Sequence, residues 1–199
     1  MRTAGYIAAS QYWLDLEPCP TADGSCADLQ GLNCFLGENW GDVALEEIRQ
    51  LKSRYFRALD LKEWADFGDC LTEDISARYG TQAMPEPLHF DSRDDVVAYM
   101  SENLGTSIIS IHIGSHPVIT VDGDSASGSW AFEDTVIVPD FKIQIRGGGY
   151  YEDEYRKDPD GKWRISSTRY ERIYEAMMSL EDVPSFKLIA NRWDPSLKH

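Results

Sequence analysis

Five side chains in this sequence could hold or move a proton, Tyr55, Asp60, His112, Asp134 and Arg172, and two tryptophans, Trp64 and Trp130, could wall an apolar pocket around them. An imidazole is the group best placed to take and return a proton near neutral pH, and a neighbouring carboxylate can orient it and offset the charge of the imidazolium. His112 stands in a run where Ile109, Ile111 and Ile113 share one side of a strand and Ser110, His112 and Gly114 the other. Small neighbours leave room beside the ring, as a pocket requires; a strand histidine satisfied by a backbone carbonyl is the open alternative. His116 falls nominally on the same face, but the Gly-Ser step before it and Pro117 after it invite a bulge.

Asp134 alternates with Trp130, Phe132, Val136 and Val138 on one strand face, a carboxylate among bulky apolar groups. If that face is inward, Asp134 needs a donor, a cation or a proton, because unpaired buried charge is costly. A structural ion pair with an arginine would satisfy it equally well. Arg172 shares a face with Thr168, Tyr170 and Tyr174, which suits a pocket mouth or a subunit contact. Tyr55 and Asp60 are five residues apart, so on an ideal helix they point about 140° apart. Their convergence requires a break in the helix, and their plain alternatives are a core aromatic and a helix cap.

The elements that must position these groups follow from periodicity. Ala44, Ile48, Leu51, Tyr55, Ala58 and Leu59 recur at helical steps, with Glu46, Glu47, Arg49, Lys52 and Arg54 among the polar positions. Asp60 and Glu63 have the spacing of a capping box opening a second helix through Trp64, Phe67 and Leu71, so two helices should meet at Asp60. Ser92 and Asp95 repeat the pattern before a third helix ending near Gly105. Short strands are expected over residues 75–79 and 88–90. After Gly105 the period becomes two, with hairpin signals at Asp122-Gly123 and Asp160-Gly161, and Gly147, Gly148 and Gly149 would let a sheet bend. Helices first and strands afterwards define an α+β fold, the helices covering one face of a curved, mainly antiparallel sheet.

The chain has 199 residues, enough for one sizeable core. We expect an N-terminal extension over residues 1–40, an α+β domain over 41–178 and a tail over 179–199. The extension carries Cys19, Cys26 and Cys34, whose pairing is open, and with Cys70 and four histidines the chain offers no zinc-site spacing, so no metal is expected. A net charge of −15 argues against nucleic-acid and anionic-membrane partners. With neither an apolar run of about 20 residues nor a secretory pattern, the chain reads as soluble and cytoplasmic.

Taken together, the segments "EEIRQLKSRYFRALDLKEWADF", "ISIHIGSHPVITVDGDSASGSWAFEDTVI" and "GGGYYEDEYRKDPDGKWRISSTRYERIY" resemble the SnoaL-like branch of the nuclear-transport-factor-two-like superfamily. Within it they are most similar to the bile acid 7α-dehydratase type, with scytalone dehydratase as a more distant relative. The resemblance implies a cone-shaped α+β barrel enclosing a deep apolar cavity, and catalytic roles for Tyr55, Asp60 and His112. It further implies that Asp134 and Arg172 line the pocket, with Trp64 and Trp130 as its walls. One departure is Ser115, followed by His116, where the dehydratase pattern tends to have a second histidine directly after the His-x-Gly step. The implied reaction is cofactor-independent dehydration of a hydrophobic alicyclic or polycyclic hydroxy-carbonyl compound of steroid, terpenoid or polyketide kind. An isomerase or cyclase using the same site is one alternative. A non-catalytic assembly module, like the small subunit of ring-hydroxylating dioxygenases, is another. A homo-oligomer, dimer or trimer, is expected, with the isoleucine face of the His112 strand as a candidate contact.

Overall fold

The computed structural model describes residues 29–81 and 84–197, with side chains from residue 41 onward except at Pro195. Cys19 and Cys26 lie outside the described residues, and Cys34 outside those described with side chains. The chain divides into two compact units, Met1–Trp40 and Gly41–His199. The first is helical from Leu29.

The first helix, α1 (Leu29–Leu61), buries Ala44, Ile48, Leu51, Tyr55, Phe56 and Leu59 on one stripe. Such burial contributes roughly 1.5–3 kcal/mol for each large apolar side chain, which fixes the helix against the sheet. Lys52, expected among the polar positions, lies on that stripe instead and is 1% exposed. The helix also does not break at Asp60. It runs on to Leu61 and ends in a left-handed cap at Lys62, φ 62°, where Lys62 N–H donates to Leu59 O and Glu63 N–H to Ala58 O. Helix α2 (Trp64–Asp69) begins without a side-chain cap, so the Asp60–Glu63 capping box is not formed; the Asp60 carboxylate is committed to the sheet. Leu71, expected in this helix, opens strand β1 (Leu71–Tyr79).

Strand β2 (Leu88–Phe90) pairs with β1 and leads into α3 (Arg93–Asn103). There Ser92 caps as its spacing predicts: its Oγ accepts from Asp95 N–H at 3.2 Å and donates to the Asp95 carboxylate at 2.7 Å. Four long strands follow, β3 (Ile109–Asp122), β4 (Ser125–Val138), β5 (Ile143–Lys157) and β6 (Trp163–Ser179). Both hairpin signals are turns, with positive φ at Gly123 and Gly161.

The sheet order is β2-β1-β6-β5-β4-β3. All neighbours are antiparallel except β1 and β6, which run parallel, so the sheet is mixed. It curves but does not close into a barrel: β2 and β3 remain its two edges. Register shifts at Ser115/Val118, Gly148/Gly149 and Glu154/Tyr155 mark bulges that bend it. The first confirms the irregularity expected beside His116, and the second falls in the triple glycine.

Candidate active site

Four of the sequence-selected residues meet in one chain of contacts. His112 on β3, Asp134 on β4 and Gly147 on β5 are register partners, so they form one row across the sheet. Asp60, in the last turn of α1, comes down onto that row from the helix side. Its Oδ1 lies 2.7 Å from His112 Nδ1, and its Oδ2 accepts the backbone N–H of His112 at 2.7 Å. One carboxylate thus grips both the ring and the main chain of the histidine, which fixes the ring's orientation.

Arg172 reaches the row from β6. It pairs in register with Gly149, beyond the bulge, and its guanidinium reaches back over Gly147. A Cβ at Gly147 would lie 1.8 Å from Arg172 Nη1, so only glycine admits the arginine there. Arg172 then holds Asp134 through both oxygens, at 3.0 and 2.5 Å, the fork-to-carboxylate geometry of a strong pair. Asp134 Oδ2 stands 4.0 Å from His112 Nε2. The arrangement therefore reads Asp60, His112, Asp134, Arg172, with the side chains of all four at most 12% exposed.

Electrostatics follow from these contacts. Burial pushes the Asp60 carboxyl up, but the hydrogen bonds and charge of His112, with the Ser110 hydroxyl, outweigh it and hold Asp60 below the ordinary carboxylate value. For Arg172, burial works against the charged form, yet Asp134 keeps the guanidinium above its usual range.

The room expected beside His112 is filled. Phe56 occupies the space that Gly114 leaves, where a Cβ would come within 2.5 Å of Phe56 Cε2. Its ring stacks on the imidazole, centroids 5.9 Å apart and planes 3° from parallel. The opening lies instead between α1 and β3, a cleft of about 400 Å3 lined by His112, Asp60, Phe56, Trp130 and Ile113 among others. Trp130 is thus beside the site, its Nε1 donating to Tyr155 Oη at 2.7 Å. Trp64 lines a different groove, with Gly68, Arg93 and Val97, between α2 and α3. Tyr55 is wholly buried and its hydroxyl meets that of Tyr79 at 3.1 Å; burial, then Tyr79 and Tyr151, push its pKa well above 10.

Two features were not selected from the sequence. Lys62 donates from Nζ to Ser110 Oγ at 2.9 Å, and Ser110 in turn donates to Asp60 Oδ1 at 2.9 Å, so an ammonium sits two bonds behind the dyad. Burial draws the Lys62 pKa down, with Asp60 opposing. A lysine after a helix gives no sign of this in sequence. The second is a buried cluster around Asp153, which accepts from Lys52 Nζ at 2.7 Å, Thr168 Oγ1 at 2.7 Å and Tyr155 Oη at 2.8 Å. That one was legible: Lys52 lies four residues after Ile48 and three before Tyr55, on the apolar stripe. Among the described residues no three His, Cys, Asp or Glu side chains gather as metal ligands.

A family model, the SnoaL-like domain, matches residues 44–169. An uncharacterized protein of Mycobacterium tuberculosis H37Rv is 28% identical over 134 residues, covering 66% of this chain and 87% of its own. Among solved structures, a protein of Kribbella flavida is similar with a TM-score of 0.62 and 23% identity, over 68% of this chain and 94% of that one. A protein of Novosphingobium aromaticivorans assigned as a scytalone dehydratase follows at 0.60 and 18%, over 67% and 87%. A hexachlorocyclohexane dehydrochlorinase, LinA Type2, stands at 0.59 and 16%, over 68% and 89%. At these identities the structures share a fold, while the family match covers more than half the sequence: the chain belongs to the SnoaL-like domain family, within the nuclear-transport-factor-two-like superfamily.

Proposed function

We propose that this protein is a lyase that needs no cofactor and removes water from a hydrophobic alicyclic or polycyclic hydroxy-carbonyl compound. One observation carries the reading: Asp60 engages Nδ1 of His112, while among the described residues Nε2 has no partner nearer than Asp134 at 4.0 Å. With its Nδ1 proton directed at Asp60, the ring presents Nε2 as a base. Nε2 takes the proton α to the substrate carbonyl, and the electron pair moves into the new carbon–carbon double bond as the β carbon–oxygen bond breaks. The departing hydroxide takes that proton back from Nε2 and leaves as water. Asp60 stabilises the imidazolium between the two steps. Asp134, held by Arg172, accepts a hydrogen bond from the leaving hydroxyl, and Trp130 and Phe56 supply apolar wall. Tyr55, wholly buried with its hydroxyl on Tyr79, stays protonated and supports the packing behind Phe56 rather than the reacting atoms. The solved neighbours include a protein assigned as a scytalone dehydratase and a dehydrochlorinase, both names for eliminations, which supports a lyase.

The test is a panel of β-hydroxy ketones and steroid or polyketide enone precursors, followed by product mass. Loss of about 18 Da, one water, marks dehydration; an unchanged mass marks isomerisation or ring closure at the same site. His112→Ala should lower turnover by about 10²–10⁴-fold, the usual worth of a general base. Turnover that survives in His112→Ala moves the chemistry elsewhere.

A further inference from the structure

The sheet opens where β1 and β6 part. Their parallel pairing ends with Arg78 beside Arg169; β1 remains with β2, while β6 runs on to Ser179 against β5 alone. The gap is a cleft of about 420 Å3 lined by exposed Arg78 and Arg169, half-buried Tyr170 and Arg172, and Pro87 and Glu171 among others. Two like charges in direct register repel, which costs stability. The chain has 34 acidic residues against 19 basic, so carboxylate partners are plentiful. Yet neither the Arg78 nor the Arg169 side chain has an ion pair or hydrogen bond among the described residues.

The nearby carboxylates are engaged elsewhere or do not reach. Glu152, the register partner of Arg169, accepts from Ser129 Oγ at 2.8 Å. Glu175 lies 3.1 Å from Arg172 Nε and accepts from Thr81 Oγ1 at 3.3 Å. Glu171, a wall of the cleft, pairs with neither arginine. Arg172 is already bound through both terminal nitrogens to Asp134. What the cleft presents, therefore, is two guanidinium groups unpaired among the described residues, with the ring of Tyr170 in the same lining.

We propose that this cleft binds an anionic group, a carboxylate or a phosphate, on a ligand whose apolar body lies against Tyr170 and Pro87. A guanidinium offers a planar fork that fits either oxyanion, and two side by side can grip one group from both edges. Ligand charge offsets the repulsion between Arg78 and Arg169, which is why the pair is tolerable. Arg172 is common to this cleft and to the His112 site, so a bound anion lies next to the pair that faces Nε2. The binding claim goes beyond the lyase reading and stands whether or not His112 is catalytic.

Calorimetric titration of the full chain with 2-naphthyl phosphate, 2-naphthoate and uncharged 2-naphthol at low salt tests it. At least one anion should bind about tenfold or more tightly than the naphthol, as charge-assisted fork contacts allow. That margin should shrink as salt is raised. The stronger of the two anions names the source chemistry. In the double variant Arg78→Gln, Arg169→Gln the margin should vanish while thermal stability is no lower than the parent's, because both side chains are exposed and unpaired and their mutual repulsion is gone. Equal binding of the naphthol, or a margin that survives in the double variant, overturns the proposal.

Discussion

Two buried carboxylates on the inner side of this domain, Asp153 and Asp60, are treated in opposite ways. Asp153 accepts from an ammonium, a threonine and a tyrosine, and the ammonium of Lys52 also lies 3.8 Å above the ring of Tyr151. Burial draws the Lys52 pKa down while Asp153 raises it, and the pair is 1% and 0% exposed. Its partners are all buried, and although Lys52 borders the same cleft as His112, its side chain is 1% exposed and its ammonium is held by Asp153. Asp60 is as fully bonded, to His112 and Ser110, but its partner histidine lines a cleft and, among the described residues, makes no hydrogen bond from Nε2. A buried charge network with all its capacity used specifies structure; one with a single group left over can do chemistry.

Substitutions in the two clusters should therefore separate activity from stability. Asp60→Asn keeps the shape of the carboxylate but can turn an amide toward Nδ1, favouring the wrong tautomer. Turnover should fall about 10²–10⁴-fold, while urea unfolding loses only about 1–2 kcal/mol for weakened hydrogen bonds. Asp153→Asn should do the reverse. It strands the Lys52 ammonium in the core, at a cost of about 3–5 kcal/mol, with turnover per folded molecule within about twofold of the parent. If Asp153→Asn lost turnover as steeply as Asp60→Asn without unfolding, the division between the clusters would be wrong.

A milder break is Gly147→Ala. The new methyl carbon would fall 1.8 Å from Arg172 Nη1 and 3.2 Å from Asp134 Oδ1, so the guanidinium must leave its fork. Overpacking of this kind costs about 1–3 kcal/mol, and with Asp134 released turnover should fall about tenfold. A crystal structure of the variant with the Asp134–Arg172 pair intact would refute that account.

Asp60 also marks the pH dependence of stability. Asp60 has its folded pKa depressed below the ordinary 3.8, so it contributes stability that is fully present above that value and is lost as pH falls through the folded one. Unfolding free energy measured downward from about pH 5 should fall less steeply in Asp60→Asn than in the parent. Equal slopes would mean that His112 and Ser110 do not hold Asp60 as the structure shows.

How far the sequence reaches depends on whether a residue's partner is local. Ser92 caps a helix three residues away, Gly123 and Gly161 make their own turns, and period two carries β3 to β6; all of these follow from neighbours in sequence. Asp60 obeys the same capping spacing and does not cap, because its donors are 50 and 52 residues distant and enter no local rule. The same holds for the parallel β1–β6 pair and for Phe56 stacking on His112 in the space above Gly114. For the site, the residue types marked His112, Asp134 and Arg172, and resemblance supplied their grouping. Only the bulge at Gly148/Gly149, which shifts Arg172 by one place, explains how an arginine paired with Gly149 comes to lie over Gly147.

Lys62 tests the comparison at its finest grain, because its backbone and its side chain call for opposite changes. At the left-handed position that ends α1, φ 62°, glycine is the favoured residue, and an L side chain there costs about 1–2 kcal/mol. An ammonium can only donate, so Ser110 Oγ accepts from Lys62 and must spend its own hydrogen on Asp60. Lys62→Gly removes the backbone cost and should raise stability by about 0.5–1 kcal/mol, a rise of a few degrees in Tm. It also frees the Ser110 hydroxyl to turn away, leaving Asp60 one donor short, so turnover should drop about threefold, the worth of a weakened hydrogen bond. A protein that becomes more stable and less active places Lys62 in service of the dyad; one that becomes more stable with full turnover makes it only an awkward cap.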